Sequence, residues 1–139
     1  MTFGVRLLPE LQRTLSAALM LLPALLPVRS ADAAEVLMFV RPGCSWCELW
    51  RKEIGPIYPK TPEGRLAPLR ELDIGSAPAT LKLKSPLVYT PTFVVVSNNQ
   101  EVGRVTGYPG PDFFWSLLSR VLLDVPETSL DLFGKALTR

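Results

Sequence analysis

The chain switches between two hydrophobic periods, and each switch marks an element. Val36-Leu37-Met38-Phe39-Val40 is an unbroken apolar run ending at Pro42-Gly43, the pattern of a strand buried on both faces. From Ser45 the spacing becomes helical: Trp46, Leu49 and Trp50 share one stripe, Cys47, Trp50 and Ile54 another, and Gly55-Pro56 stops the run. Ser45 and Glu48 match a capping box, which predicts a helix start beside the cysteines. Residues 55–68 hold four prolines and two glycines and read as a connecting excursion, with a helical turn begun by Thr61-Pro62-Glu63.

Leu69 to Ile74 alternates apolar with polar and predicts a second strand, and Ala77 to Leu83 reads as a short helix. Thr92-Phe93-Val94-Val95-Val96-Ser97 is the clearest strand. Asn98-Asn99-Gln100 turns it, and Glu101 to Thr106 alternates as its hairpin partner. Gly110-Pro111-Asp112 then opens an amphipathic helix whose apolar positions are Phe113, Phe114, Leu117, Leu118, Val121 and Leu122, closed by Pro126. Ser129 to Leu137 reads as a further short helix or a frayed tail. A parallel first half followed by a hairpin predicts an α/β fold: a mixed central sheet of about four strands with helices on both faces.

Residues 1–33 follow another logic. Arg6 and Arg13 form a positive start, Leu15 to Val28 an apolar stretch with only Ser16 polar, and Ala31-Asp32-Ala33 a small-residue cleavage site. This is the pattern of a secretory signal peptide cut after Ala33, leaving residues 34–139 as a single mature domain exported to an oxidising compartment. The competing reading is an uncleaved anchor. A span needs about 20 apolar residues, and Pro23 and Pro27 interrupt this shorter stretch.

Composition narrows the chemistry. The chain has 139 residues and a net charge of +2, with no basic run of the kind that makes a nucleic-acid footprint. It contains no histidine, which excludes a Ser-His-Asp triad and any His-based metal site. Two thiols are half of a tetrahedral zinc set, so the chemistry starts from cysteine.

Those cysteines form Cys44-Ser45-Trp46-Cys47, where a predicted strand ends and a helix begins. Unpaired N–H groups and the dipole at a helix N-terminus stabilise a thiolate and lower its pKa. Cys44, at that end, is placed to attack a partner's disulfide, and Cys47, one turn in, to resolve the mixed disulfide. Arg41 adds positive charge nearby and Glu48 opposes it. A purely structural disulfide closing so small a loop would stabilise by only about 2 kcal/mol on the chain-entropy model. A metal-binding pair would need ligands from elsewhere.

Trp46, between the cysteines, is at the rim of the site and is a candidate substrate contact. Trp50, Phe113, Phe114 and Trp115 have core spacing, and Tyr108-Pro109 reads as a rim loop. Glu71 and Asp73 read as solvated strand residues. Thr90-Pro91-Thr92 precedes the strongest strand. By itself this is an ordinary trans proline starting a strand, whereas a cis bond would expose the Thr90 backbone for pairing with an extended substrate.

Strand, Cys-x-x-Cys at a helix start, and Thr-Pro before a strand-hairpin-helix ending resemble the thioredoxin fold over residues 35–124. Arg41-Pro42-Gly43-Cys44, Thr90-Pro91-Thr92-Phe93, Gly107-Tyr108-Pro109-Gly110 and Asp112-Phe113-Phe114-Trp115 more narrowly resemble the periplasmic thioredoxins of the sulfur-oxidation (SoxS) type. The resemblance implies a thiol–disulfide oxidoreductase with catalytic Cys44 and Cys47. It also implies that Pro91 is cis and faces them, with Thr90, Pro91 and Trp46 meeting substrate. It implies no cofactor and no metal. The implied partners are a protein disulfide, such as that of a sulfur-carrier protein, and a membrane-embedded thiol donor of electrons; a monomer is expected. An oxidase or isomerase on the same fold, or a thiol-based metal-binding module, are the alternatives. The chain departs from ordinary thioredoxin in its Ser45-Trp46 dipeptide, in Gly43 where tryptophan is usual, and in Met38 where the family keeps a buried aspartate that aids proton transfer.

Overall fold

The computed structural model describes residues 34–126. The signal-peptide reading of residues 1–33 and the short helix expected over Ser129–Leu137 lie outside them. In chain order the elements are β1 (Glu35–Val40), α1 (Ser45–Glu53), α2 (Pro62–Leu66), β2 (Leu69–Asp73), β3 (Thr92–Ser97), β4 (Gln100–Thr106) and α3 (Pro111–Leu122). Short 3-10 turns occupy Tyr58–Lys60 and Ile74–Ser76. Among the described residues no helix is long and apolar enough to cross a membrane.

The strands form one mixed sheet in the order β2-β1-β3-β4. β1 runs parallel to β2 and antiparallel to β3, and β3 runs antiparallel to β4. β1 and β3 are central, which is why their runs are apolar on both faces. The tight turn between β3 and β4 uses Asn98 and Asn99 at φ of 54° and 56°, the left-handed region that asparagine tolerates.

Val36, Met38, Phe93, Val95 and Val105 face the larger core, where they meet Cys47 and Trp50 of α1 and Phe114, Leu118 and Leu122 of α3. Trp50, Phe93 and Phe114 pack as a tilted and edge-on aromatic group with centroids 4.8–5.8 Å apart. The opposite face, Leu37, Phe39, Val94 and Val96, is covered by Leu72, by Ile74 in the second 3-10 turn, and by Ala77, Leu81, Leu83 and Leu87.

Three expectations change. The helix expected over Ala77–Leu83 does not form: Leu81 and Leu83 enter the second core with a period of two, and Lys82 makes a parallel bridge to Gln100. Extended backbone over residues 81–83 packs both leucines, half-buried, against the sheet where a helix would have turned one away. Phe113 and Leu117, expected in the core, are exposed, because the helix buries only Phe114, Leu118 and Leu122, with Trp115 and Val121 at the margins. The helix also ends at Leu122, before Pro126, where Asp124 and Val125 donate to the Val121 and Leu122 carbonyls and tighten the last turn.

β4 carries a bulge. Val95 pairs with Gly103 but Val96 with Glu101, so Val102 is an extra residue in the ladder. The bulge puts Glu101 and Arg104, three apart and otherwise on opposite faces, on the side of the second core. It also leaves Gly103 under α3, where an added Cβ would stand 2.8 Å from Val121 Cγ1.

Candidate active site

The site is assembled at the end of the sheet where β1 finishes. Antiparallel pairing sets Phe39 opposite Thr92, so the residues just before β3 lie beside the loop that leaves β1. That loop is Arg41-Pro42-Gly43-Cys44, with Gly43 at φ +72°, a conformation L side chains rarely adopt. Gly43 thus turns the chain so that the next residue can start α1.

Cys44 is that helix's N-cap. Its Sγ accepts the Cys47 backbone N–H at 3.1 Å, and its carbonyl takes the Glu48 N–H. The cap expected at Ser45 is therefore one residue earlier, and the capping box is not made. Glu48 instead pairs with Arg51, which also donates to Glu71 at 2.6–3.1 Å. The bond to Glu71 raises the Arg51 pKa most, against a smaller loss to burial. Glu48's charge is thus held by a guanidinium on its own helix. Glu71, expected to be solvated, is an ion-pair partner, and Asp73 caps the Gly75 N–H.

Cys44 and Cys47 are joined in a disulfide with their Cα atoms 5.3 Å apart. Cys47 is fully buried, whereas Cys44 is half-exposed at the helix end. Trp46, between them in sequence, is 57% exposed. The Thr90–Pro91 peptide is cis, and the Pro91 carbonyl accepts the Gly107 N–H at 2.7 Å. Met38, where an acid would sit in ordinary thioredoxin, is fully buried among apolar side chains. Among the described residues no three His, Cys, Asp or Glu side chains form a group that could hold a metal ion.

Tyr108, expected at a rim loop, is buried instead, its hydroxyl donating to Glu53 at 2.6 Å. Burial, and then the Glu53 carboxylate, raise its pKa. The sequence reading missed the segment before Thr90. Val88 and Tyr89 are 58% and 67% exposed beside the site, and Arg41 Nη2 donates to the Val88 carbonyl at 2.7 Å. The signal was present in Pro86 and in the alternation of Leu81 with Leu83, both of which oppose a helix.

A search of solved structures finds the chain similar to the periplasmic thioredoxin SoxS from Paracoccus pantotrophus, crystallised in its reduced form. Identity is 45%, the TM-score is 0.65, and the match covers 67% of this chain and 99% of that one. The chain belongs to the thioredoxin family. It is a thiol–disulfide oxidoreductase, with Cys44 and Cys47 at the spacing that chemistry uses. A second thioredoxin, Mala s 13 from Malassezia sympodialis, is 25% identical over 65% of this chain and 76% of its own, with a TM-score of 0.48. A scan of family models returns no match, nor does a search of curated proteins.

Proposed function

We propose that this thioredoxin is exported and reduces a disulfide of a partner protein, with Cys44 as nucleophile and Cys47 as resolving thiol. The observation that carries the reading is the capping geometry: Cys44 caps the N-terminus of α1 with its sulfur against the Cys47 N–H, while Cys47 is closed off from solvent. A helix N-terminus directed at sulfur favours the thiolate. In the reaction the Cys44 thiolate bonds to one sulfur of the partner's disulfide, and that disulfide breaks to release one partner thiolate. The Cys47 thiol gives up its proton and attacks Cys44 Sγ, the mixed disulfide breaks, and the second partner sulfur leaves as a thiolate, both partner thiolates then taking protons. Two electrons pass to the partner, and Cys44–Cys47 becomes the disulfide.

Trp46, Thr90 and Pro91 would meet the substrate at the rim. Residues 1–33 would be the signal peptide and residues 34–139 the mature, monomeric domain. Likeness to a periplasmic thioredoxin supports export, and likeness to the sulfur-oxidation type supports a sulfur-carrier protein as substrate. An exported reductase is out of reach of cytosolic reductant, so a membrane-embedded thiol carrier would have to re-reduce Cys44–Cys47.

The test is trapping in the periplasm. Cys47→Ser should accumulate a covalent complex with the partner that dithiothreitol releases, and Cys44→Ser should abolish exchange. Failure of Cys47→Ser to trap any protein would count against the reading. Alkylation across glutathione buffers fixes the direction: a potential near about −270 mV fits a reductase, and one near about −120 mV would make the protein an oxidant.

A further inference from the structure

Residues 77–91 connect the turn after β2 to β3 with no helix or strand of their own. So long an irregular segment must satisfy its backbone on other parts of the molecule. At its far end Glu101 accepts the Lys84 N–H at 2.8 Å, and Arg104 donates to the Ser85 and Pro86 carbonyls at 2.9 and 3.3 Å. At its near end Thr92 Oγ1 donates to the Tyr89 carbonyl at 2.7 Å, and Arg41 to the Val88 carbonyl at 2.7 Å. Four side chains, Glu101, Arg104, Arg41 and Thr92, therefore hold the backbone between residues 84 and 89, while the Val88 and Tyr89 side chains stay outside.

The Arg41 bond differs from the others in what it joins. Arg104, Glu101 and Thr92 tie the segment to β3 and β4, whereas Arg41 ties it to the loop that carries Cys44. The two strips of chain that a disulfide-bearing segment would touch, 41–46 and 88–90, are thus linked by one side chain. Its guanidinium is directed at a carbonyl oxygen and is exposed to solvent, where screening weakens any long-range effect on sulfur.

We propose that Arg41 is a positioning residue for protein substrates: it holds the Val88–Tyr89–Thr90 backbone in register with Cys44, acting through the Val88 carbonyl and not on the Cys44 thiolate. This inference rests on the reductase reading above and names what separates a protein disulfide from a small one at the same dithiol. A small disulfide needs only the sulfur of Cys44, whereas a protein segment must also lie along residues 88–90.

The test compares the wild-type chain with Arg41→Met on insulin, a protein disulfide, and on 5,5′-dithiobis(2-nitrobenzoate), a small one. For insulin, kcat/KM should fall about fivefold, chiefly through KM, as expected for losing one solvent-exposed hydrogen bond. The small disulfide should react within about twofold of the wild-type rate, since nothing that touches sulfur has changed. The pH midpoint for iodoacetamide alkylation of the reduced protein should not move. Thr92→Val, which removes the neighbouring anchor, should show the same selective loss. An upward shift of the midpoint with equal losses on both substrates would make Arg41 electrostatic and overturn the proposal. Unchanged insulin kinetics in an active protein would overturn it alone, and a wild-type chain inert toward both disulfides would overturn the reductase reading with it.

Discussion

Replacing Arg104 with methionine should be among the most damaging changes available outside the cysteine loop, because it strands a buried carboxylate. Glu101 is 2% exposed at its side chain and Arg104 17%. The carboxylate accepts Arg104 Nε at 2.6 Å, Nη2 at 2.5 Å and the Lys84 N–H at 2.8 Å. Burial pushes the Glu101 pKa up, but these bonds outweigh it and hold the group below the ordinary carboxylate range. Removing one partner of a buried pair costs about 3–5 kcal/mol, because the other charge is left uncompensated. Lys84 N–H remains and water can reach the Arg104 side, so about 3 kcal/mol is expected.

The pH dependence gives the sharper test. In the wild type a depressed folded pKa means that the Glu101 contribution is fully present above the unfolded value, about 4.3, and lost as pH falls through the folded one. In Arg104→Met burial is opposed only by the Lys84 N–H bond and the Lys84 charge, so the folded pKa rises and protonation relieves the penalty. The deficit measured by urea denaturation should therefore be largest at pH 8 and shrink by more than half at pH 4. Changing Glu101→Leu together with Arg104→Met removes both charges but orphans the Lys84 N–H, so about 1–2 kcal/mol should remain. A deficit below about 1 kcal/mol at pH 8, or one independent of pH, would refute the argument.

Other substitutions test the remaining packing and the site. Gly43→Ala meets no atom within 4 Å but forces an L residue to φ +72°, and should cost about 1–2 kcal/mol by denaturant unfolding. Phe114→Ala should cost about 3–5 kcal/mol, whereas Phe113→Ala, one residue away and exposed, should stay within about 0.5 kcal/mol in the same assay. Trp46→Ala should leave stability within about 0.5 kcal/mol but lower kcat/KM for insulin severalfold, which stopped-flow fluorescence or turbidity would register.

Sequence alone determined the elements whose signals are local. The five-residue apolar run of β1, the Thr92–Ser97 strand and the Asn-Asn turn each carry their own period or turn chemistry, so the mixed sheet and its hairpin could be read directly. The dithiol was equally legible, because a Cys-x-x-Cys placed after a strand and at a helix start carries its chemistry with it. Tertiary structure decided what depends on partners remote in the chain. A bulge at Val102 changes which side of β4 Glu101 faces, and no alternation pattern reveals an inserted residue. Cys44 took the cap from Ser45 because the Gly43 turn placed its sulfur over the Cys47 N–H. The segment from Ala77 to Pro91 forms no helix because Leu81 and Leu83, two apart, pack together on one face of the sheet and four side chains, from positions 41, 92, 101 and 104, satisfy its backbone. Local propensity cannot report such anchors, since the groups that supply them meet the segment only once the sheet has formed.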